Sequence, residues 1–349
     1  MSAIAGKDWN DINFSHDASY MTASRLKSIK FLLDCHDISL FTLNAPQSSF
    51  NDATPLGMAA WLNMPEAVRV LLEGSSDAVS VDGMDTHRAT PLMYAARDGS
   101  LEVVKLLVTS PWCRPDFRDS NHRSSIQYAV THPEILYLCE TALRRHRFRE
   151  NETSPRSSIS LRSEALQDGT SPSIVDVNFD EETISNTTHT IIQLVLSSDI
   201  QSLHSFFISI LSIVLKPGSP ILVNLPDAKG WSPIHYCAQM QFPSIQIVDT
   251  LYCAGADFSL FTVEEHWTIL HCLSKSYYPP DRTPNTIHSL SKFITHLIFD
   301  LRAPFSAKDK EDETCIHLAA EHGQSIELLK ILLECDRTKS IRNRRNSRG

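Results

Sequence analysis

Apolar and polar residues along this chain follow a helical period in short segments that come in pairs. In the clearest pair, a Thr-Pro start leads into Leu92, Ala95 and Ala96, and a second segment at 101–107 follows Gly99. Thr caps a helix start, and the Pro after it lacks an N–H that would be unpaired there. Gly tolerates the positive φ that ends a helix, and the second segment has one apolar face. The pattern predicts a helix, a turn and an amphipathic second helix.

The same phrase recurs along the chain. The copies start at Thr54, Thr90, Ser232 and Thr314, with weaker ones at Ser124 and Thr268. The starts are 36 and 34 residues apart in the first half, and 36 and 46 apart in the second. One such unit cannot bury both faces of its helices, so neighbouring units must stack. The spacing therefore predicts a repeat fold.

The signatures Thr-Pro-Leu at 54–56 and 90–92, and Ser-Pro-Ile-His at 232–235, resemble the ankyrin repeat, whose period is about 33 residues. The resemblance covers about 250 of the 349 residues. It implies an all-α ankyrin-repeat solenoid of helix-turn-helix units with hairpin loops between them, interrupted by a linker. It also implies protein binding rather than catalysis.

The chain is predicted to have four segments, according to where the repeat pattern is present and where it is absent. They are an N-terminal array with a capping unit at 1–143, a disordered Ser-rich acidic linker at 144–187, a C-terminal array at 188–335 with an insertion at 274–284, and a basic tail at 336–349. The linker is predicted from its polar composition and lack of apolar period, and its Ser154-Pro155 and Ser171-Pro172 are candidate phosphorylation sites. The pattern leaves open whether the arrays form one interrupted solenoid, which we favour, or separate modules.

Composition and charge narrow the class of protein. The eight cysteines are scattered singly, which excludes a disulfide framework and a C-x-x-C zinc pair. The N-terminus has no basic start before an apolar run, so we expect no secretory signal and reduced thiols in the cytosol or nucleus. The apolar stretch at 191–215 is interrupted by Asp199 and His204, which argues against a membrane span. The net charge of -9 argues against non-specific binding to nucleic acid.

Motifs for catalysis or nucleotide binding are missing from the sequence: there is no Walker P-loop, G-x-G-x-x-G, H-E-x-x-H or G-x-S-x-G. We therefore predict no catalytic residue, no cofactor and no small-molecule substrate. Three pairs have metal-ligand side chains: His235 with Cys237, His271 with Cys272, and Cys315 with His317. Equivalent positions in stacked helices lie about 8 to 10 Å apart, whereas zinc bonds measure about 2.0 to 2.3 Å. We predict no shared metal, and the resemblance implies histidines that hydrogen-bond between turns.

Ankyrin-like repeats bind proteins through hairpin tips and the exposed face of the first helix, so the resemblance also implies a candidate surface. In the second array its protein-binding residues would be Trp231, Trp267, Lys229, Met240, Glu264, Glu265, Glu311 and Glu313. Trp231 and Trp267 fall at the same site in consecutive repeats, and Trp is a frequent interface hot spot. The glutamates favour a partner that presents Lys or Arg beside an apolar anchor. The alternative is that each indole packs sideways on the neighbouring hairpin. The first array projects a mixed surface.

Two functions remain open from the sequence. The first is a cytoplasmic, non-catalytic adaptor or regulatory subunit whose arrays hold one or two protein partners. The second is a nuclear transcription or chromatin regulator that uses the basic tail for nuclear entry and the arrays to recruit factors. The acidic body and the missing DNA-binding motif weaken the second. The tail can equally be a solvated helix end, because cations suit a helix C-terminus.

Overall fold

The computed structural model describes residues 26–33, 40–74, 78–153, 179–213, 221–240, 242–277, 283–322 and 325–347. Within these ranges the chain forms helices, turns and hairpin loops, and β pairing is limited to one isolated bridge between Gln47 and Ala53. Contacts divide the chain into two compact units, Met1–Ser120 and Asn121–Gly349. In the described part of the chain, none of the helices combines the length and apolar character needed to cross a bilayer.

The first unit contains two layers of short helices. Its described helices are α1 at 26–33, α2 at Leu40–Leu43, α3 at Pro55–Trp61, α4 at Pro65–Gly74, α5 at Pro91–Arg97 and α6 at Leu101–Thr109. The first helices of the two repeats, α3 and α5, pack together, as do the second helices, α4 and α6. The small residues Ala59, Ala60, Ala95 and Ala96 are fully buried, and their short side chains let the helices approach closely.

The helix starts in this unit follow the predicted Thr-Pro signal. Thr54 Oγ1 accepts the N–H of Gly57 at 3.1 Å, and Thr90 Oγ1 accepts the N–H of Met93 at 3.3 Å. A Pro occupies the first helical position after each Thr. Gly99 has a φ of 70°, which a residue with a side chain rarely adopts, and it turns the chain from α5 into α6.

The second unit repeats the same arrangement over a longer stretch. Its described helices are α7 at Ser125–Ala129, α8 at Pro133–Thr153, α9 at Glu181–Leu196, α10 at Ile200–Ile213, α11 at Pro233–Tyr236, α12 at Ile245–Cys253, α13 at Ile269–Ser276, α14 at Pro284–Thr295, α15 at Cys315–His322 and α16 at Ile326–Cys335. A 3₁₀ turn continues α11, and a π turn continues α14. The first helices α9, α11, α13 and α15 pack in series, and second helices pack in the pairs α10 with α12 and α14 with α16.

The helix α8 extends ten residues into the predicted linker. Leu143 is fully buried, and Arg147 is nearly so. Arg147 donates to the carbonyls of Tyr252 at 2.6 Å and Ala256 at 2.8 Å, and its guanidinium lies over the Tyr252 ring. The predicted linker start at 144 is therefore wrong, because contacts with residues more than 100 positions away stabilise a helix that the local composition does not indicate.

The other predicted linker boundary, at 187, is also wrong. The helix α9 begins at Glu181, because Asp180 Oδ2 accepts the N–H of Thr183 at 3.0 Å and caps the helix. Acidic residues in its first turn suit the helix dipole. Residues 154–178, which include both candidate phosphorylation sites, lie outside the described residues.

A buried polar network ties α8 to the start of the C-terminal array. The carboxylate of Glu140, which is fully buried, accepts the backbone N–H groups of Val223 at 3.2 Å and Asn224 at 2.9 Å and the side-chain amide of Asn224 at 2.9 Å. Burial raises the pKa of Glu140 to about 7, although Arg144 and the N–H donors lower it. The last repeat of the predicted N-terminal array therefore belongs to the second compact unit.

Residues 336–347 form a further hairpin against the last repeat, and we call this segment the terminal hairpin. Ile341 is buried, and Asp336 accepts the backbone N–H groups of Ile341 at 3.4 Å and Arg342 at 2.9 Å. The carbonyl of Arg344 lies 3.0 Å from His317 Nε2. The predicted basic tail is thus an ordered part of the repeat stack. The insertion predicted at 274–284 includes the end of α13 and the cap of α14, and residues 278–282 lie outside the described residues.

Candidate protein-binding surface

Four of the described hairpins are closed by a reciprocal pair of hydrogen bonds. In three hairpins an Asp donates its backbone N–H to the carbonyl four residues later and accepts the N–H of that residue on Oδ1. The pairs are Asp85 with Ala89 at 3.1 and 2.7 Å, Asp227 with Trp231 at 3.0 and 3.0 Å, and Asp309 with Glu313 at 2.9 and 2.9 Å. The closure was not predicted, although an Asp five residues before a helix start is visible in the sequence as its signal.

The hairpin before α13 is one residue longer and uses Thr262 in place of the Asp. Thr262 donates its N–H to the carbonyl of Trp267 at 2.8 Å, and its Oγ1 accepts the N–H of Trp267 at 3.0 Å. These closures fix the residue that precedes each helix start. In two consecutive hairpins that residue is a Trp, as the sequence spacing predicts.

Successive hairpin tips are joined by backbone hydrogen bonds. The N–H of Val263 donates to the carbonyl of Gly230 at 3.1 Å, Lys310 donates to Glu265 at 3.2 Å, and Ser347 donates to Glu311 at 3.2 Å. Four hairpins of the second unit therefore follow one another in a fixed register. We call the row of their tips, from Lys229 to Ser347, the tip surface.

The histidines of the repeat signature hold the first helices to the next hairpin. His235 Nδ1 accepts the N–H of Ser232 at 3.0 Å, and its Nε2 lies 3.1 Å from the carbonyl of Leu260. His271 has the same arrangement with the N–H of Thr268 at 3.2 Å and the carbonyl of Glu313 at 3.1 Å. Burial lowers the pKa of both imidazoles to about 4, so each is neutral with its proton on Nε2. Neither ring has a nitrogen left for a metal ion.

The cysteines near these histidines are buried structural residues. Burial raises the pKa of the thiols of Cys237, Cys272 and Cys315, that of Cys315 to about 12. Such thiols are protonated and poor nucleophiles or ligands at neutral pH. Across the described residues, no group of three or more His, Cys, Asp or Glu side chains is placed to hold a metal ion.

The two tryptophans of the tip surface are half-buried. The Trp231 ring centroid lies 5.5 Å from that of Tyr236, whose Oη donates to Asp227 Oδ2 at 2.6 Å. The indole N–H of Trp267 donates to Asp309 Oδ2 of the next hairpin at 3.3 Å. Trp267 thus packs sideways on the neighbouring hairpin, as in the alternative prediction, and each Trp residue is still partly exposed to solvent.

Two residues that were predicted to be exposed are buried. Met240 is only 3% exposed; the last turn before it is a 3₁₀ turn, and Met240 itself has an extended backbone. Glu313 is only 4% exposed, and its carboxylate accepts the side-chain amide of Asn346 in the terminal hairpin at 2.9 Å. Neither side chain contributes to an outer surface.

The other predicted residues lie on the tip surface with their side chains at least partly in solvent. Lys229, Glu264 and Glu311 are exposed, and Glu265 is half-buried. Val263 is 52% exposed beside Glu264 and was missed, because it occupies the extra position of the longer hairpin. The tip surface therefore combines two indole edges, one aliphatic side chain, several carboxylates and exposed cations such as Lys229 and Lys310.

The first unit has a smaller aromatic patch on adjacent first helices. The Trp61 and Tyr94 ring centroids lie 6.2 Å apart, and the Arg97 guanidinium lies 5.5 Å from the Tyr94 ring. Arg97 also forms an ion pair with Asp98 at 2.8 Å. This patch is close to electrically neutral, in keeping with the mixed surface that the sequence predicts.

Comparison with known proteins agrees with the repeat signatures. Residues 56–143 match a family model described as ankyrin repeats, in three copies. No curated protein matches the chain at a significant level. A solved structure of a predatory endopeptidase from Bdellovibrio bacteriovorus in complex with an immunity protein includes a chain that is 13% identical. That match covers 81% of this chain and 98% of the other with a TM-score of 0.26, too low to support an argument about function.

Proposed function

Because this chain carries ankyrin repeats at residues 56–143, we propose that it is a non-catalytic adaptor or regulatory subunit that binds partner proteins through its tip surface. Ankyrin repeats are protein-interaction modules, and stacked repeats present extended surfaces for such binding. The observation that carries the proposal is the row of hydrogen-bonded tips on which half-buried Trp231 and Trp267 alternate with exposed Glu264 and Glu311.

The chemistry of this surface favours one kind of partner. A rigid indole edge loses little conformational freedom on binding and is a frequent interface hot spot. Carboxylates around it favour Lys or Arg on the partner and suppress acidic competitors. We therefore propose a partner segment that presents basic side chains beside an apolar anchor.

Site-specific photo-crosslinking in cells tests this proposal. A photoreactive amino acid at Glu264 or Lys229 should capture a defined partner protein, because both side chains project from the tips. The same probe at Lys330 on α16 or Glu73 on α4 is the matched control, since both positions are exposed but lie on second helices. With the captured partner purified, Glu264→Lys should weaken its binding about three- to tenfold at low salt.

Two results would contradict the proposal. One is the same set of crosslinked proteins from tip and control positions. The other is a purified partner whose affinity is unchanged by Glu264→Lys and by added salt. Substituting the tryptophans is a weaker first test, because Trp267→Ala also removes the hydrogen bond to Asp309 and would loosen the hairpin itself.

A nuclear regulator remains the second candidate, and exposed cations of the terminal hairpin favour it. Arg337, Lys339 and Arg345 project into solvent, as a basic import signal requires. Replacing these three with Ser in a fluorescently tagged full chain should shift it from nucleus to cytoplasm under this alternative. If the wild type and the triple variant are both cytoplasmic, the nuclear alternative is contradicted and the adaptor proposal remains.

A further inference from the structure

The last three hairpins of the tip surface form a row with opposite charges at its two ends. The hairpin before α13 presents Glu264 and Glu265, and the terminal hairpin presents Arg344 and Arg345. The two hairpins are separated by a single hairpin, to which both are hydrogen-bonded through their backbones. With about 10 Å between stacked repeats, the acidic and basic ends lie about 20 Å apart on a rigid row.

The hairpin between these ends carries both signs of charge. Its exposed charged side chains are Lys308, Lys310, Glu311 and Asp312. Lys308 and Asp312 form an ion pair at 3.1 Å, so this central hairpin has no strong net charge. A row that runs from acidic through mixed to basic is complementary to its own copy after a two-fold rotation.

We propose that two copies of this chain associate through the last three hairpins of the tip surface about a two-fold axis at the central one of the three. In this isologous pairing the Glu264 end of one copy faces the Arg345 end of the other, and the reverse contact occurs at the same time. Lys310 of each copy meets Glu311 of its partner across the axis. We infer a second copy as the partner because the acidic and basic ends of this row are complementary to each other and lie at equal distances from the central hairpin.

The expected association is weak and sensitive to salt. Exposed ion pairs each contribute little and are screened at high ionic strength. The two-fold axis doubles every contact, so one substitution removes two attractive pairs and creates two repulsive ones. The inference uses the acidic residues of the proposed partner surface, and a second copy would compete there with an outside partner.

Sedimentation of the purified full chain tests the pairing. At about 50 mM salt the wild-type mass should rise with concentration from 39.2 kDa towards twice that value, and it should stay at 39.2 kDa at about 500 mM salt. Glu264→Lys alone and Arg345→Glu alone should each weaken association about tenfold. No hydrogen bond or ion pair within the chain involves either side chain among the described contacts, so both variants should fold normally.

A mixture of the two variants gives the sharpest outcome. In a mixed pair the introduced lysine meets the introduced glutamate at one end, and the native residues meet at the other, so association should return to the wild-type strength. Glu73→Lys and Lys30→Glu make the same charge changes on exposed sites of the first unit and should behave as the wild type.

The pairing is overturned if the wild type remains monomeric at low salt, if either single variant associates as the wild type does, or if the mixture stays as weak as its components. Sedimentation needs no outside partner. A negative sedimentation result therefore does not affect the adaptor proposal, and a negative crosslinking result does not affect the proposed pairing.

Discussion

At the scale of single residues, the neutral signature histidines link the helix starts to the next hairpin. His271 is almost fully buried and bonds to the Thr268 N–H on one side and the Glu313 carbonyl on the other. Its Nδ1 must be unprotonated to accept the first bond. A second proton would therefore break this contact and place an unpaired charge in the core.

The pH dependence of the free energy of unfolding should show that the His271 imidazole is neutral in the folded chain. The pKa of His271 is about 4 in the folded chain and about 6.5 when unfolded, so the unfolded state takes up the proton first as pH falls. Its stabilising contribution is complete above pH 6.5 and is lost progressively towards pH 4. Between pH 7 and pH 5, urea denaturation of the second unit should show the wild type losing about 2 kcal/mol more than His271→Leu. Parallel stability curves for the two proteins would contradict this assignment.

Glu140 is the second residue whose surroundings make a sharp prediction. Its oxygens accept three N–H groups from Val223 and Asn224, and it lies 3.5 Å from Arg144. In Glu140→Gln the new NH₂ group has to face one of these donors, which leaves buried polar groups unpaired. We expect a loss of about 1 to 3 kcal/mol in the free energy of unfolding. Glu334→Gln, on an exposed part of α16, is the control and should change it by less than about 0.5 kcal/mol. Equal effects would show that the network adds nothing.

At the scale of elements, the reciprocal closure of the hairpins explains how a polar loop can be rigid enough to present a binding surface. Asp309 accepts the N–H groups of Glu311 and Glu313, both at 2.9 Å, and the indole N–H of Trp267. One carboxylate thus shapes its own hairpin and fixes a side chain of the preceding one. The closure links local loop geometry to the orientation of a candidate hot spot.

Asp309→Ala should loosen this hairpin and the indole together. We expect the free energy of unfolding to fall by about 1 to 3 kcal/mol, since three donors lose their acceptor. Trp267 fluorescence should shift to longer wavelength as the ring becomes more solvated, with Trp267→Phe used to identify its share of the emission. Lys308→Ala, beside the same hairpin, removes an exposed ion pair with Asp312 and should cost less than about 1 kcal/mol. Similar changes in both variants would refute the special role of Asp309.

Helix starts could be predicted from the sequence because their causes are local. Thr54 and Thr90 cap helices with atoms three residues away, and the Pro after each fits the first helical position. The end of α8 could not be predicted, since Arg147 is fixed by carbonyls 105 and 109 residues further along the chain. Such a long-range contact cannot be inferred from the composition of the local sequence.

The candidate surface could be predicted only where it depends on local sequence. Projecting a uniform repeat onto the sequence places Trp231 and Trp267 correctly before the helix starts. The projection fails at Met240, which follows a 3₁₀ turn, and at Glu313, which the terminal hairpin covers. Departures from the ideal repeat depend on neighbouring units, and a single unit's sequence does not reveal them.

At the scale of the whole molecule, each unit gains stability from surfaces that its helix pairs bury against their neighbours, so the ends of a stack need cover. The terminal hairpin supplies that cover for the last repeat of the second unit. Ile341 is 7% exposed within it, and His317 reaches the carbonyl of Arg344. The basic composition of this segment suggested a solvated tail, but its single apolar residue and its backbone groups determine its position.

Two isoleucines allow a matched measurement of how much the terminal hairpin stabilises the last repeat. Ile341 is buried in the terminal hairpin, whereas Ile326, at the start of α16, is 56% exposed. Ile341→Ala should lower the free energy of unfolding of the second unit by about 2 to 5 kcal/mol, because it removes buried methyl groups and leaves a cavity. Ile326→Ala makes the same chemical change in solvent and should cost less than about 0.5 kcal/mol. Calorimetry of both variants against the wild type would decide the matter. If the two differ little, the hairpin rests on the stack without stabilising it, and the last repeat must be stable by its own helix contacts.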